Sequence, residues 1–251
     1  MKTARLHVDK QLSIDSEIIL EKEAYKYIVR VLRRSEGDQL DLFNGDGFNY
    51  HSTLGISESS IATAAIQSRT LNATESPLNI NLVQSLAKGT KLDLIIQKAT
   101  ELGVTRITPV TSERSILQIH KNRLERKLSH WRGIAVSAAT QCQRSVVPIV
   151  ETPVLLIDWF ENQLDNRAHN SAEPASCLLL HPSANKTLKE VNLPSTHCSV
   201  LVGPEGGFTD DEVNYAETHG ATTFQCGPRI LRTETAGFTA IAVLQSLHGD
   251  F

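Results

Sequence analysis

Cysteine is scarce in the 251-residue sequence: Cys142, Cys177, Cys198 and Cys226 are scattered, with no C-x-x-C pair among them. That spacing gives neither a zinc site nor a disulfide framework, and reduced, mostly buried thiols are expected. Long hydrophobic runs are missing too. No stretch approaches the roughly 20 apolar residues of a membrane span, and the opening MKTARLHVDKQLSID lacks the apolar segment of a signal peptide. The expected location is therefore the cytoplasm, with no membrane partner. Neither G-x-G-x-x-G nor G-x-x-x-x-G-K-[ST] occurs, which removes the main support for a nicotinamide or nucleoside-triphosphate site. Internal repeats, low-complexity tracts and metal-ligand spacings are likewise absent.

With 40% hydrophobic and 21% charged residues, the composition is that of a folded chain able to bury a core. The net charge of −3 conceals a strong asymmetry. Residues 76 to 150 carry 11 basic against 4 acidic side chains, while residues 151 to 251 carry 5 against 13. A basic middle in an acidic protein is the mark of a local polyanion footprint or of a solvated helix face.

The first seventy residues read as short strands around one helix near Glu23 to Leu32, with a hairpin signal at Asn44-Gly45-Asp46-Gly47. They predict a small β-rich barrel. SRTLNATESP, at 68 to 77, is the linker candidate. From Leu78 strands and helices alternate, which implies parallel strands with crossover helices. A long helix near Asn122 to Gln141 sets Leu124, Leu128, Trp131, Ala135 and Ala138 on one face and Arg123, Arg126, Lys127 and Arg132 on the other. The polar stretch DNRAHNSAEPA, 165 to 175, predicts an exposed loop.

Chemistry concentrates at three strand ends. In VLVGPEGGFTDDEV an apolar strand runs into Gly203-Pro204-Glu205-Gly206-Gly207 and then a helix opened by the capping box Thr209 and Glu212. A glycine loop there exposes bare backbone amides to a ligand. One helix later, TTFQC runs into GPRILRTETA, whose arginines, glutamate and threonines exceed what a turn needs. LLLHPSA leaves His181 at a third strand end. Such loops at the carboxyl ends of parallel strands predict a ligand crevice.

LVGPEGGFTDDE together with GPRILRTETA resembles the bacterial 16S rRNA (uracil(1498)-N(3))-methyltransferase family, a branch of the SPOUT or α/β-knot methyltransferases. The resemblance extends along the chain through VLRRSEGDQLDLFNGDG, QKATELGVTRITPV, SERS and QCQR. Two positions depart from the family pattern: Tyr27 stands where histidine is usual, and Ser137 where an acidic residue is usual. The resemblance implies an α/β fold with a PUA-like β-barrel RNA-binding domain over residues 1–72 and a trefoil-knotted SPOUT domain over 73–251. It implies homodimerisation, the cofactor S-adenosyl-L-methionine, and 16S ribosomal RNA in the small ribosomal subunit as partner. Its donor pocket carries over to Leu180 and His181, to Gly203, Pro204, Glu205, Gly206 and Gly207, and to Cys226, Gly227, Pro228, Arg229, Ile230 and Leu231.

Methylation of uridine N3 needs the N3 proton removed and the base held in line. Arg232 is assigned to the uracil, Glu234 to the proton as leading acceptor, and Glu205 as second. Arg30, Arg33, Arg34, Arg114 and Arg144 are the candidate RNA contacts. No metal is expected. Two alternatives stay open: another knotted methyltransferase acting on rRNA or tRNA, and a non-catalytic RNA-binding assembly factor.

Overall fold

The computed structural model describes residues 3–57, 61–115, 121–169 and 176–251. The chain divides into two compact units, one of residues 1–75 and 139–147, the other of residues 76–138 and 148–251.

The first unit is built on a five-stranded sheet. Its strands are β1 (Ala4–His7), β2 (Glu17–Ile19), β3 (Gln39–Phe43), β4 (Phe48–Ile56) and β5 (Ala62–Leu71), in the spatial order β1-β3-β4-β5-β2. Only the β1–β3 pair is parallel. The β3–β4 turn follows the asparagine and aspartate chemistry of its sequence. Asn44 accepts from the Asp46 amide, Asp46 accepts from the Phe48 amide, and Gly45 and Gly47 take positive φ. Alternate residues of β4, namely Tyr50, Ser52 and Leu54, point into the core with Leu40, Leu42 and Ile66.

Two expectations shift here. The single helix becomes a short α1 (Lys22–Tyr25) followed by a π-helical turn over Lys26–Val31, where the Leu32 amide donates to the Tyr27 carbonyl. The wide turn buries Ile28 while leaving Tyr27 and Val31 outside. The linker also begins later than expected, because β5 continues to Leu71 paired with Phe48.

Residues 139–147 complete this unit through polar contacts. Arg5 is 7% exposed, lies 4.0 Å over the Phe43 ring, and donates to Asn49, to Ser145 and to the Ala139 carbonyl. Arg144 is 3% exposed and forms a forked pair with Glu75, its Nη2 to Oε2 distance being 2.6 Å. This corrects the sequence expectation for Arg144: its guanidinium is withdrawn from solvent into a structural ion pair, not presented to phosphate.

The second unit is a parallel sheet ordered β12-β10-β11-β6-β7-β8, with a short β9 also pairing β7. Its strands are β6 (Asn79–Ser85), β7 (Arg106–Thr111), β8 (Ile149–Val150), β9 (Val154–Leu155), β10 (Ser176–Leu180), β11 (His197–Val202) and β12 (Ala221–Phe224). The helices are α2 (Lys91–Glu101), α3 (Lys121–Cys142), α4 (Leu156–His169), α5 (Asp210–Thr218) and α6 (Thr233–His248). The central strands are covered on both faces, so they read as continuous apolar runs: Val200, Leu201 and Val202 are all buried, as are Leu82 and Val83. In α3, Leu128, Trp131, Ala135 and Ala138 are buried, Leu124 is half-buried, and Arg123, Arg126 and Arg132 are exposed.

The loop expected at 165 to 175 is corrected in part, since α4 extends through His169; residues 170–175 lie outside the described residues. Trp159 and Phe160 anchor that helix in the core.

After edge strand β12 the chain returns to the middle of the sheet. The Gln225 amide donates to the Lys186 carbonyl and its side chain to the Ala184 carbonyl, and residue 233 reaches the loop after β11. The chain thus passes from the edge of the sheet back to the carboxyl ends of β10 and β11.

Candidate active site

The loops after β10 and β11 and the segment entering α6 surround a cleft of about 580 Å³ at the carboxyl ends of the strands. Its wall includes Leu180, His181 and Pro182, all of residues 202 to 208, and Ile230, Leu231, Arg232, Thr233 and Ala236. Of the second loop's expected contacts, Ile230 and Leu231 line the wall, whereas Cys226, Gly227, Pro228 and Arg229 are not among its lining residues. Burial pushes the Cys226 thiol up to about 11, which leaves it protonated and unreactive.

The glycine loop is held by its surroundings. At Gly203 a Cβ would sit 3.1 Å from the Phe208 amide nitrogen, so a side chain there would press on the loop's own returning backbone. Thr209 caps α5 and completes the capping box with Glu212, as its spacing predicts. The SERS segment clamps the loop from outside: the Glu113 amide donates to Glu212, and Arg114 donates to the carbonyls of Gly206 and Phe208 at 3.0 and 3.3 Å. Arg114 thus lines the cleft as a brace of the glycine loop, a role that its expected phosphate contact did not anticipate.

Beneath the loop lies a buried polar chain that sequence reasoning missed. Gln84, at the end of β6 and fully buried, donates to Thr233 Oγ1 at 3.0 Å. Thr233 in turn donates to the Gly203 carbonyl at 2.6 Å. Gln84 Oε1 is buried without a hydrogen-bond partner among the described residues, and so is Glu234 Oε2. A buried acceptor without a hydrogen bond costs on the order of 1–3 kcal/mol, so each of these oxygens calls for an explanation beyond packing.

The charges converge on Lys91, the first residue of α2 and also a cleft residue. Its ammonium donates to Glu205 Oε1 at 2.7 Å and lies 3.8 Å from Glu234 Oε2. The hydrogen bond to Glu205 holds the Lys91 pKa above its ordinary value. Burial would raise the Glu205 carboxyl, but hydrogen bonds from Lys91, from its own amide and from the Lys88 amide together hold it below the ordinary carboxylate value. A lysine at a helix N-terminus opposes the helix dipole, and that local conflict in KGTKLD was the available signal for a nearby carboxylate. Its partners are 114 and 143 residues further along the chain, beyond the reach of spacing arguments.

Arg30, Arg33 and Arg34 belong to the first unit, at and just after the π-helical turn. Arg30 and Arg33 are exposed and Arg34 is half-buried. Arg30 lines a shallow depression with Lys22, Lys26, Tyr25 and Ile61.

With this geometry in place, the comparisons with known proteins are specific. The RNA methyltransferase domain family matches residues 74–245, and the RNA methyltransferase PUA domain matches residues 20–62. The chain is 32% identical over 250 residues to ribosomal RNA small subunit methyltransferase E of Buchnera aphidicola, covering 100% of this chain and 96% of that one. It is 32% identical over 241 residues to the protein of that name from Bacillus subtilis, covering 91% of each. Among solved structures, ribosomal RNA small subunit methyltransferase E from Neisseria gonorrhoeae bound to S-adenosyl methionine aligns at a TM-score of 0.89 with 33% identity, over 99% of each chain. A Legionella pneumophila structure in complex with the cofactor SAM aligns at 0.91 with 33% identity, over 100% of each chain.

Proposed function

The chain belongs to the RNA methyltransferase domain family, and from that membership we propose that it methylates N3 of a uridine in 16S rRNA of the small ribosomal subunit, with S-adenosylmethionine as donor. The chain's own cleft fits such a donor. Leu180, Ile230, Leu231 and Ala236 offer apolar surface to a nucleoside, and Gly203 to Gly207 offer backbone without side chains, except at Pro204 and Glu205. Ile230, 86% exposed on the wall, is an apolar side chain that a ligand would cover. When bound, S-adenosylmethionine supplies the methyl group from its sulfonium, leaving as S-adenosylhomocysteine.

The single observation that carries the uridine reading is that Arg232 lines the cleft while Glu234, two residues on, keeps a buried carboxylate oxygen that accepts no hydrogen bond among the described residues and stands 3.8 Å from the Lys91 ammonium. Uracil N3 bears a proton that must leave before its lone pair can attack. Glu234 Oε2, which accepts no hydrogen bond among the described residues and has only the Lys91 ammonium near it at 3.8 Å, is the leading acceptor for it. Glu205 is the weaker candidate, because its hydrogen bonds to Lys91 and Lys88 stabilise the ionised form and reduce its basicity. Arg232, the N-cap of α6, presents a planar fork to the base. Paired bases hide N3, so the target uridine must be unpaired or flipped.

The exposed Arg123, Arg126 and Arg132 of α3 and the Lys22, Lys26 and Arg30 cluster supply phosphate contacts. The working form is a cytoplasmic homodimer paired through helices of the C-terminal domain. Leu247 on α6 and Phe251 beyond it remain 40% and 63% exposed, and a partner copy would cover them. Light scattering that found a monomer at micromolar concentration would refute the pairing.

Mapping modified uridines in 16S rRNA from cells lacking the protein tests the function. One N3-methyluridine should disappear and return on complementation; an unchanged 16S rRNA would refute the proposal.

A further inference from the structure

The ammonium of Lys91 faces the same cleft as Arg232, and neither the proton acceptor nor the donor loop accounts for all of it. A lysine carries three N–H donors. Among the described residues only Glu205 lies within hydrogen-bond distance of Lys91; Glu234 stands back at 3.8 Å. The side chain is 34% exposed, toward the cleft it lines. The charged groups around it are Glu205 from the glycine loop and Glu234 and Arg232 from the start of α6, with Arg114 on the same wall. Two carboxylates thus hold an ammonium at the mouth of a helix, its remaining donors open to a ligand.

Uracil has a carbonyl on each side of N3. When the N3 proton departs, the negative charge spreads onto both oxygens, so a site that promotes this ionisation needs a donor on each flank. We propose that Lys91 is a further catalytic residue: its ammonium donates to one of the two uracil carbonyls, with Arg232 on the other, and bears part of the charge as N3 ionises. The inference rests on the uridine-N3 reading above. In the step, the N3–H bond breaks with its proton passing to Glu234, the N3 lone pair forms the N–CH3 bond, and the methyl–sulfur bond breaks with its electron pair going to sulfur. Lys91 keeps its protons throughout, as its raised pKa and its pairing with Glu205 require. The arrangement also selects the base: cytosine places an amino group where uracil has a carbonyl, and that donor would meet the ammonium head-on.

The experiment is single-turnover methylation of unmodified small ribosomal subunits by wild type, Lys91→Met and Lys91→Arg across a pH series, with S-adenosylmethionine affinity measured separately by calorimetry. Removing one preorganised donor to a developing oxyanion should cost about 10²-fold in rate. For Lys91→Met, donor affinity should be little changed and the deficit should shrink as pH rises, because hydroxide ionises the base without the cation's help. Lys91→Arg should keep the wild-type pH profile with a smaller loss. Should Lys91→Met prove too unstable to assay, Lys91→Gln gives the same comparison with a neutral group. A wild-type rate and pH profile in the neutral variant would overturn the proposal. So would a loss of donor affinity in step with activity, which would make Lys91 a brace of the glycine loop. Digestion of the product separates the two levels: methylation at an atom other than uridine N3 sinks the underlying reading, whereas N3 methylation unaffected by Lys91→Met sinks only the role of Lys91.

Discussion

The hydroxyl of Thr233 donates to the carbonyl oxygen of Gly203 across 2.6 Å, tying the first residue of the last helix to the first residue of the glycine loop. Because Gln84 donates to the same hydroxyl from the end of β6, three separate segments meet at one buried oxygen. Thr233→Val keeps the shape but removes the Gln84 amide's bond to the hydroxyl, leaving it the Ser85 and Val202 carbonyls, and takes the Thr233 donor from the Gly203 carbonyl. It should destabilise the protein by about 1–3 kcal/mol and weaken S-adenosylmethionine binding, while Thr233→Ser should retain most of both. Thermal melts and calorimetry check this; equal behaviour of the two variants would mean the hydroxyl is dispensable.

Gly203→Ala should disturb the loop directly, since the new Cβ would sit 3.1 Å from the Phe208 nitrogen and 3.3 Å from Gly207 backbone atoms. Donor affinity should fall by about tenfold or more, the equivalent of 1.4 kcal/mol. Gly133→Ala is the control in the opposite direction. No atom lies within 4 Å of that Cβ, the residue is exposed within α3, and stability should rise by about 0.5–1 kcal/mol.

Arg144→Ala should cost stability and leave RNA binding alone. It strands Glu75, a quarter exposed, without its forked partner, a loss of about 2 kcal/mol once solvent access is allowed for. Charge reversal at Arg123 or Arg126 should do the converse, lowering the slope of log affinity against log salt by about one counterion each. RNA titrations at several salt concentrations distinguish the two groups. A flattened slope in Arg144→Ala would restore it as a phosphate contact.

Glu205 makes the glycine loop sensitive to acid. Its folded-state pKa is depressed, so its contribution to loop order is fully present above the ordinary carboxylate pKa and is lost as pH falls through the lower folded value. Donor affinity should therefore decline on the acid side of the ordinary carboxylate range. In Glu205→Gln that acid limb should vanish, leaving weaker but flatter binding. Persistence of the limb in the variant would assign it to another group.

The glycine loop was legible because its chemistry is local: strand, Gly203 to Gly207 and the Thr209–Glu212 cap follow one another within a dozen residues, and each behaves as its spacing predicts. Lys91 and Gln84 were not, because their partners lie more than 110 residues away and only the sheet brings them together. Arg144 misled for the same reason, its ion pair with Glu75 being a product of tertiary contact across 69 residues. The end of α4 was hidden differently. Asp165 to His169 have no apolar period, and the helix they extend is anchored upstream by Trp159 and Phe160. The π-helical turn at Lys26–Val31 carries no local marker, since the sequence there reads as an ordinary short helix.

The central claim is tested most directly by incubating the purified protein with S-adenosylmethionine labelled in its methyl group and small ribosomal subunits that lack the modification, then digesting the 16S rRNA to nucleosides. The account predicts label in N3-methyluridine alone, approaching one per subunit, and a loss of about 10² to 10⁴ in single-turnover rate for Glu234→Gln with donor affinity retained. Label on a ribose, on another base, or on no nucleoside at all would contradict it.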